Sequence, residues 1–123
     1  MLKTLITLTY ASLIFYYSLI PLPGLIEEIF IFDPTKFLLH LLTYFVLGSL
    51  VFSIRKRFIE SFLAAGFYGF VVELTQLFVP GRSFSPFDLL ANFVGSGIGS
   101  CLAYKLEGNK ILNHFFKEKL VKK

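Results

Sequence analysis

The chain has 123 residues, of which 55% are hydrophobic and 16% charged, with 16 phenylalanines and a formal net charge of +4. That composition is too apolar for a disordered chain and unusual for a water-soluble domain, and the length leaves room for one domain with no large domain outside a bilayer. The single cysteine, Cys101, excludes an intramolecular disulfide and argues against a thiolate metal centre, so it is read as a packing residue.

Four apolar stretches, residues 5–20, 37–54, 58–79 and 87–106, approach the roughly 20 helical residues needed to cross a hydrocarbon core of about 30 Å. They predict an all-α membrane protein: four transmembrane helices in an antiparallel bundle, forming a single domain over residues 1–123. The first stretch follows Lys3 as a signal peptide would, but it runs into Ile20-Pro21-Leu22-Pro23-Gly24 with no small-residue cleavage site, so it is expected to stay as a helix. Next come Glu27, Glu28 and Asp33, with Leu25, Ile26, Ile29 and Phe30 at roughly helical spacing around the acids, which suggests a short interfacial segment in an outer loop.

Basic residues set the orientation, because cytoplasmic loops carry an excess of Lys and Arg. A cytoplasmic amino terminus places Lys3, Arg55, Lys56, Arg57, Lys105, Lys110, Lys117, Lys119, Lys122 and Lys123 inside, ten of the twelve basic residues, and leaves Lys36 and Arg82 outside. The expectation is a multi-pass protein of the cell membrane with both termini cytoplasmic. In the tail, residues 107–123, Ile111, Leu112, Phe115 and Phe116 share one side and lysines crowd the end, as in a short amphipathic helix on an anionic leaflet; His114 is expected to be solvated. The positive charge therefore points to membrane lipids as partners and not to nucleic acid.

An ionisable side chain near the bilayer centre costs about 2.5 to 3.5 kcal/mol on insertion scales, so each one needs a partner or a function. His40 follows Lys36 by one turn on the same face of the second helix. Glu73 and Gln76 lie on the third, Glu73 roughly 9 Å inside its outer end; Asp88 and Asn92 lie on the fourth, Asn92 roughly 10 Å in from the same side. The matched depths predict one outward-facing polar recess lined by His40, Glu73, Gln76, Asp88 and Asn92, with Lys36 and Arg82 at its rim.

Blander readings accompany each. Ser85-Pro86 starts a helix, and Asp88 stands where a capping box puts its acid. Glu73 can be a carboxyl hydrogen-bonded to a neighbouring helix, Gln76 and Asn92 interhelical glue, and Glu60 the local ion-pair partner of Lys56 and Arg57. Ala91, Gly95, Gly99 and Ala103 make a small-residue stripe beside Asn92, Ser96 and Ser100, which suits the middle of a bundle or the seam of a homo-oligomer; Gly66 and Gly69 give the third helix a matching flat surface.

The chain resembles the VanZ-like family of small membrane proteins. The strongest segment is Glu73-Leu74-Thr75-Gln76, then Pro80-Gly81-Arg82, then Asp88-Leu89-Leu90-Ala91-Asn92 followed by Gly95 and Gly99; it is similar to that family's acidic-Gln, Pro-Gly-Arg and Asp-x-x-x-Asn-x-x-Gly pattern. A second segment, Lys36 through His40 to Tyr44-Phe45, resembles the family's His-and-aromatic helix. Members typically carry Asp-Lys together before the His, whereas here Pro34-Thr35 separates Asp33 from Lys36. The resemblance implies a cell-envelope role, the family being named for a protein associated with resistance to the glycopeptide teicoplanin.

The leading expectation is a recess that binds or processes an amphipathic envelope component: a phospholipid-like molecule, a polyprenyl phosphate or a lipoglycopeptide. Glu73, His40 and Asp88 are the catalytic candidates, and Lys36, Gln76, Arg82 and Asn92 the substrate-binding ones, Arg82 and Lys36 holding an anion. No nucleophile motif is visible, so whether the chain is an enzyme stays open. A metal site from His40, Glu73 and Asp88 is chemically conceivable but has no diagnostic ligand spacing, so no metal or cofactor is assigned. The alternatives are an assembly protein pairing through the stripe of Ala91, Gly95, Gly99 and Ala103, and a proton-coupled transporter or flippase.

Overall fold

The structure, a computed structural model, describes residues 1–20, 34–82 and 84–121. The expected interfacial segment with Glu27, Glu28 and Asp33 lies outside them, as do Ser83, Lys122 and Lys123. The described residues form four α-helices and no strand: α1 (Leu2–Ser18), α2 (Pro34–Arg55), α3 (Phe58–Gln76) and α4 (Pro86–Val121). Among them α2 and α3 are long and apolar enough to cross a membrane; α1 has only 17 residues, and α4 carries Asp88, Asn92, Ser96 and Ser100 in its first half.

Side chains are distributed in reverse of a water-soluble bundle. Ser61, Glu73, Gln76, Asp88, Asn92, Ser96 and Ser100 are buried, while Leu5, Leu8, Leu38, Leu39, Leu42, Phe67, Leu90 and Ile98 are exposed. A soluble fold does not leave so much apolar surface open to water, whereas a bilayer suits it. The outer hydroxyls also fit an apolar surrounding: Ser12 donates to Leu8 O (2.8 Å) and Thr43 to Leu39 O (2.7 Å), each satisfied within its own helix.

With few large apolar side chains inside, close backbone approach holds the bundle together. The face of α4 with Gly95 and Gly99 meets α2 so tightly that a Cβ on Gly95 would strike Leu41 O and one on Gly99 would strike Phe45 O. Gly48 of α2 faces the Ser96 backbone in return. Two hydroxyls stitch the same seam, Ser49 donating to Gly99 O (3.1 Å) and Ser100 to Gly48 O (3.3 Å). The small-residue stripe is thus filled by α2 of the same chain. Ala91, Gly95 and Gly99 are buried within the chain, and Ala103, the last residue of the stripe, is half-buried. On α3, Gly66 accepts the Phe93 ring, and Gly69 makes room for Asn92 and Tyr44. α1 sits at the side, packed through Tyr10, Ala11 and Ile14 against the cluster of Tyr44, Leu47 and Ala65. It is tied by Tyr10 donating to Thr43 O (2.8 Å) and Tyr68 donating to Ala11 O.

The turns explain where the helices stop. Lys56, in the left-handed region at φ 59°, and extended Arg57 reverse the chain from α2 to α3. Glu60 pairs there with Arg55 (2.7 Å) and Arg57 (3.1 Å), and not with Lys56, which reaches Glu107 (3.1 Å) instead. That hydrogen bond from Lys56 holds the Glu107 carboxyl below the usual carboxylate range. α3 ends at Gln76, earlier than the expected residue 79, because bonds from Leu77, Phe78 and Val79 to carbonyls three residues back tighten the chain ahead of Pro80. Pro80 and Gly81 (φ 77°) then form a turn closed by Arg82 N to Val79 O (3.1 Å). Ser85 caps α4, its hydroxyl accepting from the Asp88 amide (3.3 Å). No separate tail helix follows: α4 continues unbroken for 36 residues, about 54 Å, since Gly108 alone does not break a helix and no proline interrupts it.

Candidate functional site

The antiparallel order brings the amino ends of α2 and α4 and the carboxyl end of α3 to one end of the bundle, and with them the polar residues of expected matching depth. His40 lies at the centre. Its Nδ1 is 2.9 Å from Asn92 Oδ1 and 3.8 Å from Glu73 Oε1, and its Nε2 is 3.6 Å from Asp88 Oδ2. Lys36 Nζ lies 3.1 Å from the same Asp88 oxygen, which places Lys36 in the cluster and not merely at a rim. With Asn92 Oδ1 accepting, Nδ1 is the donor of that bond, and Nε2 is the ring atom that faces Asp88.

Two features distinguish this from a satisfied core network. Glu73 and Asn92 are fully buried, and neither Glu73 oxygen has a well-formed hydrogen bond among the described residues. Asp88 fills half of the capping-box expectation: its amide bonds Ser85, but its carboxylate turns to Lys36 and His40.

Gln76 and Arg82 are elsewhere. Gln76 Nε2 donates to Ser18 O (3.4 Å), and the Arg82 guanidinium donates to Ile20 O (3.1 Å) and Tyr17 O (3.2 Å), closing the carboxyl end of α1. Both line a cavity of about 390 Å³ between α1, α2 and α3. Its walls are Leu13, Ile14, Leu39 and Val72 with Tyr10, Tyr17 and Tyr44, and of the buried cluster only His40 reaches the surface of the cavity. His40 is therefore where an apolar groove meets two buried carboxylates.

The three tyrosines were not among the expected site residues. Tyr10 and Tyr17 stand seven apart, two turns on one face of α1, and Tyr44 one turn beyond His40 on α2. That spacing was the available signal. Tyr44 is buried, and its hydroxyl has no hydrogen-bond partner among the described residues.

No curated protein and no solved structure matches the chain. The family model described as VanZ/LLP1 matches residues 3–108, which include α1, the whole cluster and every wall of the cavity, and the chain belongs to the VanZ-like family.

Proposed function

We propose that the chain spans the membrane four times with both termini cytoplasmic, and that the cavity beside His40 binds or processes an envelope amphiphile in the outer leaflet. The observation that carries this reading is the junction at His40: a cavity of about 390 Å³, walled by aliphatic and tyrosine side chains, whose lining includes an imidazole backed by Glu73 and Asp88. An acyl or prenyl chain fits the Leu13, Ile14, Leu39 and Val72 walls. A polar or anionic head fits the part near His40, Gln76 and Arg82, whose guanidinium has two of its five N–H groups engaged by α1 among the described residues. Phospholipid-like, polyprenyl-phosphate and lipoglycopeptide heads share that anionic or polar character, and the last accords with the teicoplanin association of the family.

Four spans are supported by the apolar exterior of α1 and by the burial of the α4 polar residues against α2 and α3, which hides from lipid what lowers the hydropathy of that helix. Orientation rests on the basic residues, gathered at the Lys56 end. Lipid mass spectrometry on purified wild type and His40→Ala, in protein shown to insert and fold, tests the site. A co-purifying amphiphile that is retained by wild type and lost from the variant is expected; identical lipid profiles reject the groove as a binding site.

A further inference from the structure

We infer that His40, Glu73 and Asp88 form a binding site for one divalent transition-metal ion, of the Zn²⁺ or Mn²⁺ type, whose open coordination position faces the cavity. One ligand atom from each of the three residues lies within 4.8 Å of the others. Around a tetrahedral ion with bonds of 2.0–2.2 Å, ligand atoms stand about 3.4 Å apart, so the 3.6 Å between His40 Nε2 and Asp88 Oδ2 needs only a small closure, and the set of three, within 4.8 Å, needs at most about 1.4 Å.

Burial supplies an independent reason. Glu73 is completely enclosed, and neither of its oxygens has a well-formed hydrogen bond among the described residues. A carboxylate removed from water in this way is paired, protonated or bound to metal. Lys36 pairs with Asp88, whereas among the described residues only the His40 imidazole lies within ion-pair distance of Glu73.

Asn92 adds the supporting contact expected behind a metal-bound imidazole. The Nδ1–H bond to Asn92 Oδ1 fixes the ring and leaves Nε2 as the donor, as a carbonyl or carboxylate does behind most ligating histidines. One imidazole with two carboxylates suits Zn²⁺ or Mn²⁺ better than the all-oxygen shells preferred by Mg²⁺ and Ca²⁺. Three protein ligands with a fourth position open to a cavity is the pattern of a reactive metal site. An anionic head group entering the groove would meet that position first.

This inference stands on the cluster and does not require the amphiphile reading, so the two fail separately. The full chain in phosphatidylcholine nanodiscs is stripped with a chelator, then titrated with Zn²⁺ by calorimetry and with Mn²⁺ by electron paramagnetic resonance, with no other ligand added. Wild type is expected to bind one ion per chain. His40→Ala and Glu73→Gln are expected to abolish that binding, and Asn92→Ala to weaken it about 10- to 100-fold. His114→Ala, which removes the exposed pair with Glu118, is expected to leave it unchanged.

Lys36→Met gives a reading that an ion-paired or protonated cluster would not produce. Removing a cation 3.1 Å from Asp88 should tighten metal binding about tenfold. X-ray absorption on the zinc-loaded wild type serves if the His40 and Glu73 variants do not fold, one imidazole in the shell being expected. Failure of wild type to bind either ion, equal binding by the His40 and Glu73 variants, or a zinc shell without imidazole would each overturn the site.

Discussion

The two ends of the bundle contain the same kinds of charged residue under opposite conditions. At the Lys56 end, Arg55, Arg57 and Glu60, and Lys56 with Glu107, pair on the surface, where each ion pair competes with solvent. At the His40 end, Lys36, His40, Glu73 and Asp88 are drawn inward, and Glu73 is sealed completely. Exposed pairs contribute little to stability; buried charges are costly alone and strongly coupled when paired. The first end therefore adds little to stability, whereas the second depends on how its enclosed charges are paired.

The largest test of this contrast is geometric. Gly99→Leu forces a side chain into Phe45 O, and with it α4 away from α2, so the polar end should come apart while the pairs of Glu60 with Arg55 and Arg57 persist. A loss of about 3 kcal/mol or more is expected, read as a lower denaturation midpoint in detergent. Asp88→Ala comes next. It removes the carboxylate between Lys36 and His40, and a loss of about 3 kcal/mol is expected by the same measurement. Glu73→Gln should move the other way in metal-free protein. Replacing an unmatched carboxylate by a neutral amide of the same shape is expected to stabilise the fold by about 1 kcal/mol, and a destabilisation would show that Glu73 is already satisfied.

Smallest are the changes at the exposed end. Glu60→Gln and Glu107→Gln should leave the midpoint unaltered at neutral pH and high salt. What little the Lys56–Glu107 contact contributes is present above the ordinary carboxylate range and is lost as pH falls through the lowered Glu107 value. A mid-acid pH titration of wild type against Glu107→Gln checks that sign.

The reading from sequence went furthest where one physical rule dominated. Continuous apolar runs marked α2 and α3, and the expense of charge in lipid singled out His40, Glu73, Asp88 and Asn92, which the structure brings together. Depth along a helix follows from residue counting, so agreement in depth was legible before any contact was known. Partners across helices were not. That Arg82, expected to face an anion, also meets the carbonyls of Tyr17 and Ile20 at the end of α1 is a contact that residue counting does not reveal. Tyr10 and Tyr17 resemble ordinary interfacial residues until α1 is laid against α2 and α3. The length of α4 was hidden by a change of composition near Glu107, which alters what surrounds a helix without ending it.

Arg82 has a consequence for the order of assembly. The carbonyls of Tyr17 and Ile20 wait for a guanidinium made 65 and 62 residues later, and Ala11 waits for Tyr68. At synthesis rates of about 5–20 residues per second, that is a delay of roughly 3 to 13 seconds. The helix that leaves the ribosome first can meet α2 through Tyr10 and Thr43, but its last carbonyls are closed only after α3 and the turn that follows it exist, and until then the groove has only two of its three walls.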